Sequence, residues 1–191
     1  MYQHGRRSVP KYTLHTYDAH GAKKLLDSVI IPVYEDVYAE EIKSNPFYSV
    51  ERFLSRFKSY VAAPGFALCT ARNESGETLG YMFGYSLGPG GRWWNGLLSK
   101  VPEGFTSEDG QRTWAVNEVM VLGKARRLGV ATALHNELLG SRKESRATLL
   151  VDPENAPAQA AYLSWGWTVV ASLQPFPDSP KYLSMVRSLP L

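Results

Sequence analysis

The chain has 191 residues, of which 44% are hydrophobic and 20% charged, and it carries a net charge of +3. This length buries a proper core in one domain, the composition excludes a disordered or fibrous protein, and the basic surplus is too small to argue for a nucleic-acid partner. Cys69 is the single cysteine, which excludes an internal disulfide and a cysteine-built zinc site and points to the cytoplasm.

Residues 1–20 hold no apolar leader. The longest strongly apolar stretch, Ser28 to Tyr34, contains Pro32 and falls far short of the ~20 residues of a membrane span. Residues 19–43 carry apolar side chains at helical spacing, with Pro32 kinking or dividing the helix. "NPFYSVERFLSRFKSYVAAPG" predicts a second amphipathic helix, with Asn45 or Ser49 as cap and Phe53, Leu54, Phe57 and Val61 as its stripe. Pro64-Gly65 stops it.

The period then changes. "FALCTAR" and "TLGYMFGYSL" flank the turn-rich "NESGE" and predict an antiparallel hairpin. Residues 88–112 form a long loop rich in glycine and charge, a length that is usually functional or disordered, and the Trp93-Trp94 pair argues against disorder throughout. Residues 113–122 predict a strand, the segment after Gly129 a helix, and "ATLLVDP" a buried strand. A short helix from Ala156 and strands at "WTVVASL" and "KYLSMVRSL" complete the order.

A β-branched run that stops at "GKARRLGVA" and reopens as a helix has the form of an anion site. The helix N-terminus offers unpaired N–H groups and partial positive charge, and small residues at Gly129 and Ala131 let an anion approach the backbone. Lys124, Arg126, Arg127, Arg142 and Lys143 are expected around it. The alternative is a solvated basic helix start. Neither a Walker loop nor a dinucleotide fingerprint fits the spacing.

Arg126-Arg127-Leu128-Gly129-Val130-Ala131 resembles the R/Q-x-x-G-x-G/A acyl-CoA motif of the GNAT acetyltransferase superfamily. About thirty residues on, "NAPAQAAYLSWGW" resembles its second signature, with Asn155, Ala158, Tyr162, Gly166 and Trp167 in order. Ala131 departs from the commoner glycine, and the resemblance weakens over residues 1–65 and 88–112. It implies a single α/β (α+β) domain over residues 1–191, with core motifs at 113–170. A central mixed, mostly antiparallel twisted sheet would be flanked by helices and splayed where acetyl-CoA binds.

The resemblance also implies roles. Backbone of Val119, Met120 and Val121 would pair with the pantetheine arm, and N–H groups of residues 126–132, through Thr132, would hold the pyrophosphate. Asn155 and Ala158 would line the arm, although Asn155 reads equally as a helix cap. Tyr162 would protonate the departing thiolate, unless it is only a core aromatic; an ordinary tyrosine stays protonated at neutral pH. The Val119 N–H would stabilise the developing oxyanion.

Glu118 is the candidate base or ammonium anchor, with a structural salt bridge as the alternative. Strand alternation puts Asn117 on the opposite face from Glu118, so one of them alone can enter a given cleft. Trp93 and Trp94 are candidates for walling an acceptor pocket or holding a cation, and packing of the loop onto the sheet explains them equally well. Glu35, Asp36, Glu40 and Glu41 either attract an amine or form a solvated helix face. His135 reads as a surface or packing residue, and His4, His15 and His20 show no metal-ligand pattern, so no metal is expected. Cys69 reads as a buried small hydrophobe, which disfavours a covalent ping-pong route.

The expected activity is therefore acetyl transfer from acetyl-CoA directly to a primary amine of a small molecule, in a ternary complex. A protein lysine or N-terminal acetyltransferase is second, and a non-catalytic acyl-CoA-binding module third. The expected partner set contains no nucleic acid and no membrane, and admits a homodimer.

Overall fold

The computed structural model describes residues 12–191. Seven strands form one sheet: β1 (Tyr12–Tyr17), β2 (Ala67–Asn73), β3 (Thr78–Ser86), β4 (Thr113–Val121), β5 (Arg146–Val151), β6 (Thr168–Leu173) and β7 (Tyr182–Ser188). Their order is β1-β2-β3-β4-β5-β7-β6. Every pairing is antiparallel except β4 with β5. This is the expected mixed, mostly antiparallel α/β domain. Strand β1 is an addition to the expected order; as a half-exposed edge strand it owes its form to pairing with β2, from Tyr12 opposite Asn73 to Tyr17 opposite Leu68.

The helices cover both faces. The expected 19–43 helix is divided into α1 (Ala19–Lys24), a π-helical turn (Leu26–Ile30), α2 (Ile31–Val37) and α3 (Ala39–Ser44). Pro32 lacks an N–H and sits in the first turn of α2, where none is required. Both proposed caps are used: Asn45 accepts from the Phe47 N–H and starts a 3-10 turn, and Ser49 accepts from the Arg52 N–H and starts α4 (Val50–Val61).

On one face, the π-helical turn, α2 and α4 bury Ile30, Tyr34, Phe53 and Phe57 against Leu68, Tyr81, Phe83 and Met120. On the other, α5 (Val130–Gly140) and α6 (Ala156–Ser164) pack with Cys69, Met82, Trp114 and Val116. Val130, Leu134 and Leu138 recur every fourth residue along the buried side of α5. No helix among the described residues is long and apolar enough to cross a membrane.

Strand β4 decides the geometry of the site. Its register with β3 shifts at one point: Phe83 lies opposite Glu118 and Gly84 opposite Val116, so Asn117 has no partner. This is a β-bulge, and the extra residue reverses which side chains face which side. Before it, Trp114 and Val116 pack on the α5 face; after it, Val119 and Val121 do, and Met120 turns to the α2 and α4 face.

Candidate active site

The loop from Gly123 to Gly129 has the backbone that an anion site requires. A 3-10 turn over Gly123–Ala125 leads to an extended Arg126, then Arg127 at φ 63° and Gly129 at φ 79°. Left-handed backbone costs an L side chain about 1 kcal/mol or more, so glycine fits at 129. Gly129 is the N-cap of α5, and no side chain caps that end. The first-turn N–H groups therefore lack intrahelical partners and point outward from a positive helix end. Arg126, Arg127 and Thr132 are exposed, Ala131 is half-buried, and Val130 anchors the turn in the core.

The charge is less concentrated than the sequence suggested. Lys124 is paired with Glu77 of the β2–β3 turn. Arg142 donates to the Gly65 carbonyl at 3.3 Å and lies over the Trp114 ring. It and Lys143 follow the C-terminus of α5, about 16 Å from the loop at 1.5 Å per residue. Helical rise separates them from the anion site, leaving Arg126 and Arg127 beside it.

Strands β4 and β5 pair only between Thr113–Val116 and Arg146–Leu149. Beyond that point they separate, and Val119 and Val121 keep a backbone edge without a β5 partner. Asn155 stands at the other side of the opening. Its Oδ1 accepts from the Ala158 N–H at 3.1 Å, so it caps α6. Both Asn155 and Ala158 border the same cleft as Val119. An open helix end, a free strand edge and a small-residue helix start together suit a long acyl carrier with a pyrophosphate and an amide arm.

The cleft has a volume of about 950 Å³, and Asn117, Glu118, Tyr162 and Trp93 line it. Asn117 and Glu118 were expected on opposite faces; the bulge brings both into one cavity. Burial pushes the Glu118 carboxyl up to about 7, against the opposing pull of Arg56. Burial, aided by the Glu118 charge, raises the Tyr162 hydroxyl well above the usual tyrosine range. Tyr162 packs edge-on against Trp165 and Trp167. It is thus both a packed aromatic and a cavity-facing phenol.

The tryptophan pair divides. Trp93 lines the cavity, whereas Trp94 is turned into a separate core under the 88–112 loop. Its indole N–H donates to Glu108 at 2.9 Å, and Glu108 also accepts from Thr113 and pairs with Arg146 at 3.0 Å. That nearly buried pair holds the loop in place, and Trp94 does not wall the pocket. Of the four early acids, Glu41 reaches the cleft border; Glu35, Asp36 and Glu40 are exposed elsewhere.

Several cavity residues escaped sequence reasoning. Arg56 of α4 lines the cavity and its charge acts on Glu118, and Tyr38, Tyr48, Tyr60, Tyr85 and Tyr182 line it too. They come from separate elements at no common spacing, so no sequence signal groups them. The β6–β7 connection meets α4 across the cleft through Arg52–Asp178 at 2.6 Å and Phe47–Phe176 at 6.2 Å between ring centroids.

The remaining residues serve packing. Cys69 is fully buried and its thiol is pushed up to about 11 by burial. His135 is buried, accepts from the Trp167 indole at 3.0 Å and is held toward its neutral form by burial. His4 lies outside the described residues. No group of three His, Cys, Asp or Glu among the described residues could hold a metal ion.

The model of the acetyltransferase (GNAT) family matches residues 32–167, well over half the chain. No curated protein matches the sequence. A histone acetyltransferase HPA2-related structure from Corynebacterium glutamicum aligns at TM-score 0.61 and 18% identity, covering 94% of this chain and 97% of that one. Chaetomium thermophilum Naa20, solved with a bisubstrate analogue, aligns at 0.57 and 17%, covering 93% and 86%. PaiA N-acetyltransferase of Thermoplasma acidophilum, solved with coenzyme A, aligns at 0.56 and 11%, covering 94% and 99%. At these identities the likeness is one of fold.

Proposed function

We propose that this chain, which belongs to the acetyltransferase (GNAT) family, works as a single domain that transfers acetyl directly to the primary amine of a small molecule. The observation that carries the proposal is the β4 bulge, because it directs Glu118 into the cleft that Tyr162 also lines.

Bound acetyl-CoA would supply the acetyl group as an activated thioester. Arg126–Thr132 N–H groups would hold its pyrophosphate, and the Val119–Val121 edge, with Asn155 and Ala158, would hold its amide arm. Glu118, titrating near 7, accepts a proton from the acceptor ammonium directly or through water. Tyr162 keeps its proton at neutral pH and donates it to the departing sulfur. The Val119 N–H donates to the carbonyl oxygen as charge develops there. No cysteine takes part, which supports a ternary complex without an acyl-enzyme.

The cavity walls favour a compact acceptor over a polypeptide. Arg52–Asp178 and Phe47–Phe176 join α4 and its preceding turn to the β6–β7 connection, narrowing the route a peptide would need. The test is thiol release from acetyl-CoA over a panel of aminoglycosides, polyamines, amino acids and lysine peptides, for the wild type and Tyr162→Phe. Release with a compact amine, reduced at least tenfold in kcat by Tyr162→Phe, is expected. Release with peptides alone would make the protein a polypeptide acetyltransferase, and full turnover by Tyr162→Phe would remove that residue from the acid role.

A further inference from the structure

Among the described basic side chains lining the cleft, Arg56 is the one whose charge acts on Glu118. Arg52 is neutralised by Asp178. Arg92 lies exposed on the loop. Arg56 is half-buried, projects from α4 into the same cavity as Glu118, and forms no salt bridge among the described residues.

Its position is fixed without an acid. Nη1 donates to the Phe47 carbonyl at 3.1 Å, and the guanidinium carbon stands 4.6 Å from the centroid of the Phe47 ring. The Tyr34 hydroxyl, held by the Tyr48 carbonyl at 2.9 Å, is beside it. A guanidinium has five N–H donors in a planar fork, and the Phe47 carbonyl and Tyr34 hydroxyl engage only part of that set, leaving donors for a ligand in the cavity that Arg56 lines. Such a fork matches the two oxygens of a carboxylate. Elsewhere on the border stand Glu41, Asp152 and Glu154, which repel an anion from their side and leave α4 as the anionic end.

Two further groups fit this polarity. Among the described residues, the buried Asn117 Oδ1 accepts no hydrogen bond and the buried Trp93 indole N–H donates none. Both line the cleft. An unpaired acceptor next to Glu118 suits an ammonium or amide donor, whose absence would leave that oxygen desolvated.

We infer that the acceptor is a compact amino acid-like zwitterion, its carboxylate gripped by Arg56 and its amine presented between Glu118 and Asn117. The inference rests on the amine-transfer reading above and narrows it. Glu118 would then face the acceptor ammonium while Arg56 answers the carboxylate, so neither buried charge is left without a counter-ion once substrate is bound. The tyrosine walls supply flat apolar surface for the rest of the molecule.

The experiment compares matched pairs that differ only in the carboxylate: phenylalanine with phenethylamine, tyrosine with tyramine, and lysine with cadaverine. Acetylation of each is followed with the wild type, Arg56→Met and Arg56→Lys, every variant first checked for its melting temperature and acetyl-CoA affinity. The expected wild-type result is a kcat/KM at least tenfold higher for the carboxylated member of a pair, the scale of a charge-assisted hydrogen bond. Arg56→Met is expected to bring that ratio to about one, chiefly through KM, and Arg56→Lys to restore part of it, because a lysine keeps the charge but loses the fork. Equal or better turnover of the decarboxylated amines overturns this inference and leaves amine transfer standing. A ratio untouched in Arg56→Met removes Arg56 as the anchor. No turnover of either member in any pair, with acetyl-CoA bound, overturns this inference, and thiol release with the aminoglycosides and polyamines of the wider panel then decides the amine-transfer reading separately.

Discussion

Replacing Glu118 by glutamine exchanges activity for stability in a pH-dependent way. The carboxyl is raised from 4.5 to about 7, mainly by burial. At 1.36 kcal/mol per tenfold, this amounts to about 3 kcal/mol. Below pH 4.5 folded and unfolded chains both carry the proton, so the group contributes no difference. Between 4.5 and about 7 the unfolded chain releases it while the folded chain keeps it. The folded state then binds more protons, and stability falls as pH rises.

Glutamine has no proton to lose, so the variant escapes that loss. Between pH 5 and 8.5 the advantage of Glu118→Gln over the wild type should grow by about 2.5 kcal/mol, or roughly 5–10 °C in Tm for a chain of this size. Thermal unfolding of both proteins at the two pH values measures it. If the same carboxylate is the base, as proposed, wild-type kcat/KM should rise through about pH 7. The variant should lose the rise and roughly 100-fold or more of the rate. A Tm difference that stays constant across the pH range would refute the burial argument, and an unaltered pH–rate profile would refute the base.

Gly129→Asp puts an L side chain at φ 79° and a negative charge on the open helix end; calorimetry should find acetyl-CoA affinity down at least tenfold, and unchanged affinity would refute the anion-loop assignment. Glu108→Ala leaves Arg146 without its partner at a site where the two side chains are 4% and 13% exposed. Denaturant unfolding should show a loss of about 3 kcal/mol. Because Glu108 also holds Trp94 beside the cleft-lining Trp93, acceptor KM should rise with acetyl-CoA affinity unaltered; a loss under 1 kcal/mol would remove the pair as the loop's anchor.

Local chemistry wrote much of this protein into its sequence. The hairpin around "NESGE", the caps at Asn45 and Ser49, and the strand, turn and helix around Gly129 all follow from rules acting within a few residues. The same holds for the two motifs that resemble the family, since backbone N–H groups and a left-handed glycine need little from distant parts of the chain. Strand β1 was not legible, because an edge strand takes its form from a partner about 55 residues away in the chain. The reach of Arg142 was misread for a related reason: closeness in sequence is not closeness in space once a helix intervenes. Alternation was the right rule for β4 up to Val116, and pairing with β3 broke it, turning Asn117 and Glu118 into one cavity. Tertiary structure alone decided that Trp93 lines the cleft while Trp94 is buried with Glu108, and that Arg56 shares that cleft with Glu118, 62 positions later in the chain. Periodicity and motifs mark the proposed carrier end of the site because each of its pieces, the β4 edge and the turn into α5 and the start of α6, is a short local segment. The acceptor end is made of side chains converging from separate elements, and packing alone sets their distances and charges.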